Sequence, residues 1–274
     1  MSNKMSGKTI VITRPMGQAR QLSEALQASL LKSGIGKELF PKIISLPLLA
    51  IVPKGDSALV HEITEVLQLA DLVIFVSPNA IECTMRLLEK SWQGLADRLI
   101  PIGVMGGSSM AALKNHGIGT ESNPTPVILP QDNASWDSEG LWLELQKLNW
   151  DWSTKKVLIF KGEGGRDWLA ETLKDAGAQV EAIAVYTRVP LDLNSPAWNE
   201  VHEMDFAQSL WLLTSSEAVR YLGQAKLPVD LARAICPHHN IADAAKQIGF
   251  GEILTCEPGD KALIAASQTC LFNY

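Results

Sequence analysis

The span from Lys155 to Pro190 places a lone tyrosine and a glycine-rich turn carrying two basic residues, Lys161 and Arg166, in one stretch of chain. Val157 to Phe160 is an apolar run of the kind shown by a strand buried on both faces. It stops abruptly at Lys161, Gly162, Glu163, Gly164, Gly165 and Arg166. A helix is expected next, from Arg166 to Asp175, with Gly177 as its stop signal. Glycines just before a helix start let backbone N–H groups converge on an anion, and Lys161, Arg166 and the helix dipole add positive potential there. Such a turn suits a carboxylate or a phosphate. It fails both familiar nucleotide templates, because Asp167 breaks G-x-G-x-x-G and no Gly-Lys-Ser/Thr follows. The same glycines also serve as a plain strand-to-helix turn.

The elements that must carry these residues alternate along the chain. Strands are expected at Thr9 to Thr13, Leu72 to Val76, Ile100 to Val104, Val157 to Phe160, Leu210 to Leu213 and Ala232 to Cys236, with weaker ones between. Helices are expected from about Gly17 to Leu31, Ala80 to Lys90, Ser109 to Asn115, Ser138 to Leu148, Arg166 to Asp175, Glu217 to Gly223 and Asn240 to Ile248. This alternation implies an α/β protein with parallel sheets flanked by helices. Leu72 to Ile81 echoes Leu210 to Val219, which points to two similar domains. The 274 residues are enough for both to bury a core. Two β-prone stretches closed by proline, 44–52 and 182–190, look like connectors between them.

Composition excludes several functions. With 24 Lys and Arg against 30 Asp and Glu, the net charge of −6 offers no footprint for nucleic acid. No apolar run has the length of a membrane span, and Met1 to Lys8 lacks a signal-peptide core, so a cytoplasmic protein is expected. Cys83, Cys236, Cys256 and Cys270 lack C-x-x-C spacing, and the five histidines show no H-E-x-x-H pattern. No metal and no cofactor are expected.

The full pattern resembles the uroporphyrinogen-III synthase family. The resemblance rests on the glycine turn ending in Gly165-Arg166, on Val185-Tyr186-Thr187-Arg188 in the following strand, and on Thr13-Arg14-Pro15. It extends to Phe75 through Ala80, Met105 through Ser109, Asp137 through Leu141, and Leu213 through Ala218, in the family's order over nearly the whole chain. The family's architecture implies domain 1 from residues 1–43 and 191–274, domain 2 from 53–181, and a two-stranded β connector from 44–52 and 182–190.

The resemblance also implies a reaction: hydroxymethylbilane, a linear tetrapyrrole polycarboxylate, is cyclised with loss of water and inversion of ring D. The pyrrole nitrogen assists departure of hydroxide and leaves a reactive azafulvene, so the enzyme's task is positioning, a contribution that can reach about 7–11 kcal/mol. Tyr186 matches the family's candidate for the acid that assists the leaving hydroxyl. Ser77, Asn79, Gly107, Ser109, Ser138, Gly162, Gly164, Gly165, Thr214, Ser215 and Ser216 are then expected to meet the substrate's acetates and propionates. Arg14, Lys161 and Arg166 are expected to pair with them directly. Many of the hydroxyl residues also stand where helix caps stand. The chain departs from the family pattern at Cys236-Pro237-His238-His239-Asn240, which lacks a hydroxyl donor: either His238 or His239 substitutes as the donor to a carboxylate, His238 being the candidate site residue, or the two are turn and cap residues only. A monomer in transient contact with hydroxymethylbilane synthase is implied, with no nucleic-acid or membrane partner. Two other readings share the architecture: a two-domain module that binds an anion without turnover, and a nucleotide- or S-adenosylmethionine-dependent transferase.

Overall fold

The computed structural model describes residues 8–34, 36, 37, 40–55, 57–88, 92, 98–131 and 136–272. The expected helix end at Lys90 and the opening stretch before Lys8 lie outside the described residues. In chain order the elements are β1 (Thr9–Ile12), α1 (Met16–Lys32), β2 (Lys42–Ser45), β3 (Leu49–Pro53), α2 (Ser57–Leu69), β4 (Leu72–Phe75) and α3 (Pro78–Leu88). There follow β5 (Ile102–Val104), α4 (Gly107–Asn115), β6 (Val127–Ile128), α5 (Ser138–Gln146), β7 (Lys156–Gly162), α6 (Trp168–Asp175) and β8 (Gln179–Pro190). The last are α7 (Asn199–His202), β9 (Ser209–Leu212), α8 (Ser216–Leu222), β10 (Arg233–Cys236), α9 (His239–Gln247), β11 (Glu252–Thr255) and α10 (Asp260–Phe272).

The chain divides into two compact units, one of residues 1–50 with 189–274 and one of residues 51–188. In the first, strands run in the order β11-β10-β9-β1-β2 with parallel pairing between neighbours. Side chains alternate across this sheet. Ile10 and Ile12 pack with Leu22, Leu26 and Leu30 of α1 on one face, and Val11 and Trp211 pack with Val219 and Leu222 of α8 on the other. Both faces are therefore apolar, as helix-covered parallel sheets require.

The second unit has the order β3-β8-β7-β4-β5-β6, parallel from β8 to β6. Val73, Phe75, Leu158 and Phe160 pack with Ile63 and Leu67 of α2 and with Ile81 of α3, and the rings of Phe75 and Phe160 stack at 5.0 Å. Leu72, Ile74, Val157 and Ile159 face Leu141 and Leu145 of α5 and Leu169 and Leu173 of α6. β8 runs unbroken over twelve residues, and its pairing with β7 extends from Gln179 to Tyr186. Residues 182–186 thus belong to the sheet of this unit.

Several elements differ from the expected pattern. α2, α7, β11 and α10 have no expected counterpart; the apolar residues of α10 are spread round the helix, which weakens any 3.6-residue period. α6 starts at Trp168, so Arg166 and Asp167 remain in the turn. Among the described residues no helix is long and apolar enough to cross a membrane, and no cluster of three His, Cys, Asp or Glu is placed to hold a metal. Burial pushes the Cys83 and Cys270 thiols up and that of Cys236 up to about 12, so these are protonated packing groups.

One buried polar chain ties β9 to its approach. The indole N–H of Trp211 donates to Ser209 Oγ at 3.1 Å, and Ser209 in turn donates to the Phe206 carbonyl at 2.8 Å, with Trp211 and Ser209 both fully buried. Ser209→Ala leaves that indole unpaired and is expected to cost about 1–3 kcal/mol, read as a lower urea midpoint. An unchanged midpoint would show that the indole finds another acceptor.

Candidate active site

In the second unit the glycine turn, the end of β4 and the second half of β8 converge on one phenol. The ladder between β7 and β8 shifts register between Lys161 and Gly162, which brings Gly162 opposite Tyr186. The Tyr186 ring then lies on the bare backbone: a Cβ at residue 162 would sit 2.6 Å from its Cε2 and Cζ. No side chain fits there. Tyr186 is only 2% exposed, and its hydroxyl is 3.1 Å from Ser77 Oγ, a bond in which either oxygen donates. Arg188 Nη1 donates to the same phenolic oxygen at 3.3 Å, with the guanidinium 5.7 Å from the ring centroid. Residues 186 and 188 share a strand face, which is why both reach this point. Ser77 also accepts the Ala80 N–H at 3.1 Å and so caps α3.

A cavity of about 220 Å³ opens beside this group, and its lining includes Ser77, Met105, Ser138, Gly165, Arg166 and Tyr186. Gly164 and Gly165 turn the chain with φ of 68° and 88°, conformations that favour glycine. Ser138 is the first residue of α5 and donates to Met105 Sδ at 3.8 Å, while the cap of that helix is Asp137, which accepts the Gly140 N–H at 2.8 Å. Asn79 sits half-buried at the start of α3, and Ser109, 3% exposed, in the first turn of α4; neither lines the cavity. The indole of Trp136 covers Gly107, where a Cβ would meet its Cη2 at 2.6 Å.

The two cations of the turn are each held by a carboxylate of the chain. Lys161 Nζ bonds to Asp167, and Arg166 Nη2 to Glu139 at the start of α5. The Lys161 hydrogen bond, reinforced by its charge, holds the Asp167 carboxyl below the usual range. Arg166 also lies over the Trp168 ring at 5.3 Å. Asp167 and Arg188, which line the cavity, and Glu139, which holds Arg166, are thus parts of this site beyond the expected set. Arg188 was legible from its spacing to Tyr186.

The remaining expected residues lie together in the first unit, at the ends of β1, β9 and β10. Arg14 donates from Nε to Thr214 Oγ1 at 3.3 Å and pairs with Asp260 at 2.6 Å. Ser215 caps α8 by accepting the Ala218 N–H at 3.3 Å, and Ser216 begins that helix. His238 caps α9, its Nδ1 accepting the Asn240 N–H at 3.2 Å. A neutral ring accepting there carries its proton on Nε2, which leaves that nitrogen as the donor.

The contact of Tyr186 with residue 162 is testable by itself. Gly162→Ala must push the ring off the backbone, and overpacking of this kind costs about 1–3 kcal/mol. A fall in the urea midpoint is expected; full stability would mean that the ring has room to move.

Known proteins supply the rest. The family model described as uroporphyrinogen-III synthase HemD matches residues 33–265. A uroporphyrinogen-III synthase of Proteus mirabilis is 27% identical over 184 residues, covering 67% of this chain and 82% of that protein. The crystal structure of uroporphyrinogen-III synthetase from Helicobacter pylori shares the fold with a TM-score of 0.62 at 15% identity, covering 96% of this chain and 99% of that one. A mutant uroporphyrinogen III synthase from the extremely thermophilic bacterium Thermus thermophilus gives a TM-score of 0.56 at 16% identity, over 96% and 98%. The matched span takes in most of the sequence and both glycine turns, and the chain belongs to the uroporphyrinogen-III synthase family, the cyclising lyases of heme biosynthesis.

Proposed function

We propose that the Tyr186 phenol is the acid that assists loss of water when this enzyme cyclises hydroxymethylbilane to uroporphyrinogen III. The observation that carries this reading is the pair of partners on the phenolic oxygen, Ser77 and Arg188. When Ser77 donates, both lone pairs of that oxygen are engaged and the one phenolic proton is left for a ligand. In the reaction the hydroxymethyl C–O bond breaks and the proton passes from Tyr186 to the leaving oxygen, which departs as water. The pyrrole nitrogen lone pair fills the electron gap and gives an azafulvenium carbon. Attack on it by the substituted carbon of ring D forms the spiro pyrrolenine that leads to the inverted isomer. The Arg188 charge faces the oxygen that carries the negative charge after transfer, and it opposes that charge at short range.

The cavity is smaller than the roughly 300–1,000 Å³ of sites that enclose a drug-sized ligand, so it suits one pyrrole ring with its acidic side chains. The glycine turn, Lys161 and Arg166 meet a carboxylate of that ring in this reading, with Ser138 beside it. Arg14, Thr214, Ser215, Ser216 and His238 bind further acetates and propionates in this reading, as do Asn79, Gly107 and Ser109 at the starts of α3 and α4. The substrate closes unaided to the type I isomer, which favours its direct hand-over from hydroxymethylbilane synthase to a monomeric cytoplasmic enzyme.

Freshly generated hydroxymethylbilane and separation of the oxidised products by isomer test the acid role. Tyr186→Phe is expected to slow type III formation by about 10²-fold. Full rate with full type III excess in that variant would remove Tyr186 from the chemistry.

A further inference from the structure

Arg166 does not present a free guanidinium to the cavity, because Glu139 from α5 holds it. We propose that Glu139 is an internal competitor for Arg166, one that gives the guanidinium up to a substrate carboxylate and thereby sets how tightly substrate and product bind. The proposal rests on the reading of the glycine turn as a carboxylate site.

The ion pair is poorly made in a way that favours exchange. One oxygen of Glu139 takes the Arg166 bond, while the other, Oε2, is buried and has no hydrogen-bond partner among the described residues. A desolvated carboxylate oxygen without a donor is costly, and such exceptions in folded proteins call for an explanation. Guanidinium binds carboxylate best through two parallel hydrogen bonds, and Glu139 makes one. A substrate carboxylate entering the cavity, with no backbone tether, is free to adopt the two-bond geometry. Glu139 keeps a favourable place after the exchange, since it stands in the first turn of α5, where the helix dipole attracts negative charge. Both side chains are partly exposed, 60% for Arg166 and 41% for Glu139, so neither is locked by packing. The pairing of Lys161 with Asp167 repeats the arrangement on the other side of the turn.

The reaction itself makes a competitor useful. Cyclisation removes water and leaves every carboxylate in place, so an enzyme that grips carboxylates binds product as firmly as substrate. Uniform binding of that kind lowers KM without raising kcat. A built-in carboxylate weakens the grip on both and lets product leave.

Kinetics on the whole enzyme decide the matter, with KM for hydroxymethylbilane and inhibition by uroporphyrinogen III measured for Glu139→Gln, Arg166→Met and the double variant. Removing the competitor frees the binding-competent guanidinium, so Glu139→Gln is expected to lower both KM and the product inhibition constant roughly three- to tenfold. Arg166→Met should raise both, and the double variant should behave as Arg166→Met does. Glu139→Asp, which keeps the charge at the helix start but shortens the reach, should move both constants in the same direction as Glu139→Gln; it serves if the glutamine variant folds badly. A KM that stays or rises in Glu139→Gln while Arg166→Met raises it would make Glu139 a mere support for Arg166 and overturn the proposal. An unchanged KM in Arg166→Met would remove the carboxylate reading of the turn, and the competitor with it.

Discussion

The Tyr186 ring occupies the space that a side chain at residue 162 would fill, and the local structure follows from that exclusion. The register shift at Lys161 and Gly162 sets the ring over glycine, the ring position brings its hydroxyl to Ser77, and the two-residue step along β8 brings Arg188 to the same oxygen. Because β4, β7 and β8 are neighbouring parallel strands, the residues just past β4 and β7 meet the second half of β8 without long loops. A buried phenol whose oxygen is bonded to both Ser77 and Arg188 cannot rotate freely, a restraint of the kind that catalysis by positioning needs.

Much of this was legible in the sequence because it depends on local pattern. The apolar runs at 72–75 and 157–160 are strands buried on both faces, and the glycines at 164 and 165 do take the left-handed conformations of a strand-to-helix turn. What escaped was decided by residues distant in the chain. Arg166 reads as a free cation from its neighbours, yet its partner is Glu139, 27 residues away. Arg14 reads the same way, and Asp260 meets it from the start of the last helix. The start of α6 moved two residues because Asp167 bonds to Lys161 and makes no side-chain cap for the helix. α10 escaped for another reason: a helix whose apolar residues lie all round it carries no stripe to be seen.

Acid and base are balanced locally as well as globally. A chain of net charge −6 that handles a polycarboxylate needs positive charge confined to a few places, and here the cations at the turn and at the end of β1 each have a carboxylate of the chain beside them. A ligand carboxylate brought to either place would meet a cation already neutralised by the chain, so long-range attraction would contribute little to its arrival.

Ser77 has one hydroxyl serving two neighbours, the first turn of α3 and the phenol of Tyr186. Inherited or engineered changes at this residue should accordingly show two separable defects, a heat-labile protein and a sluggish one. Suppressor substitutions elsewhere that only stabilise the second unit would restore the amount of folded enzyme while leaving each molecule slow, so abundance and specific activity would recover independently.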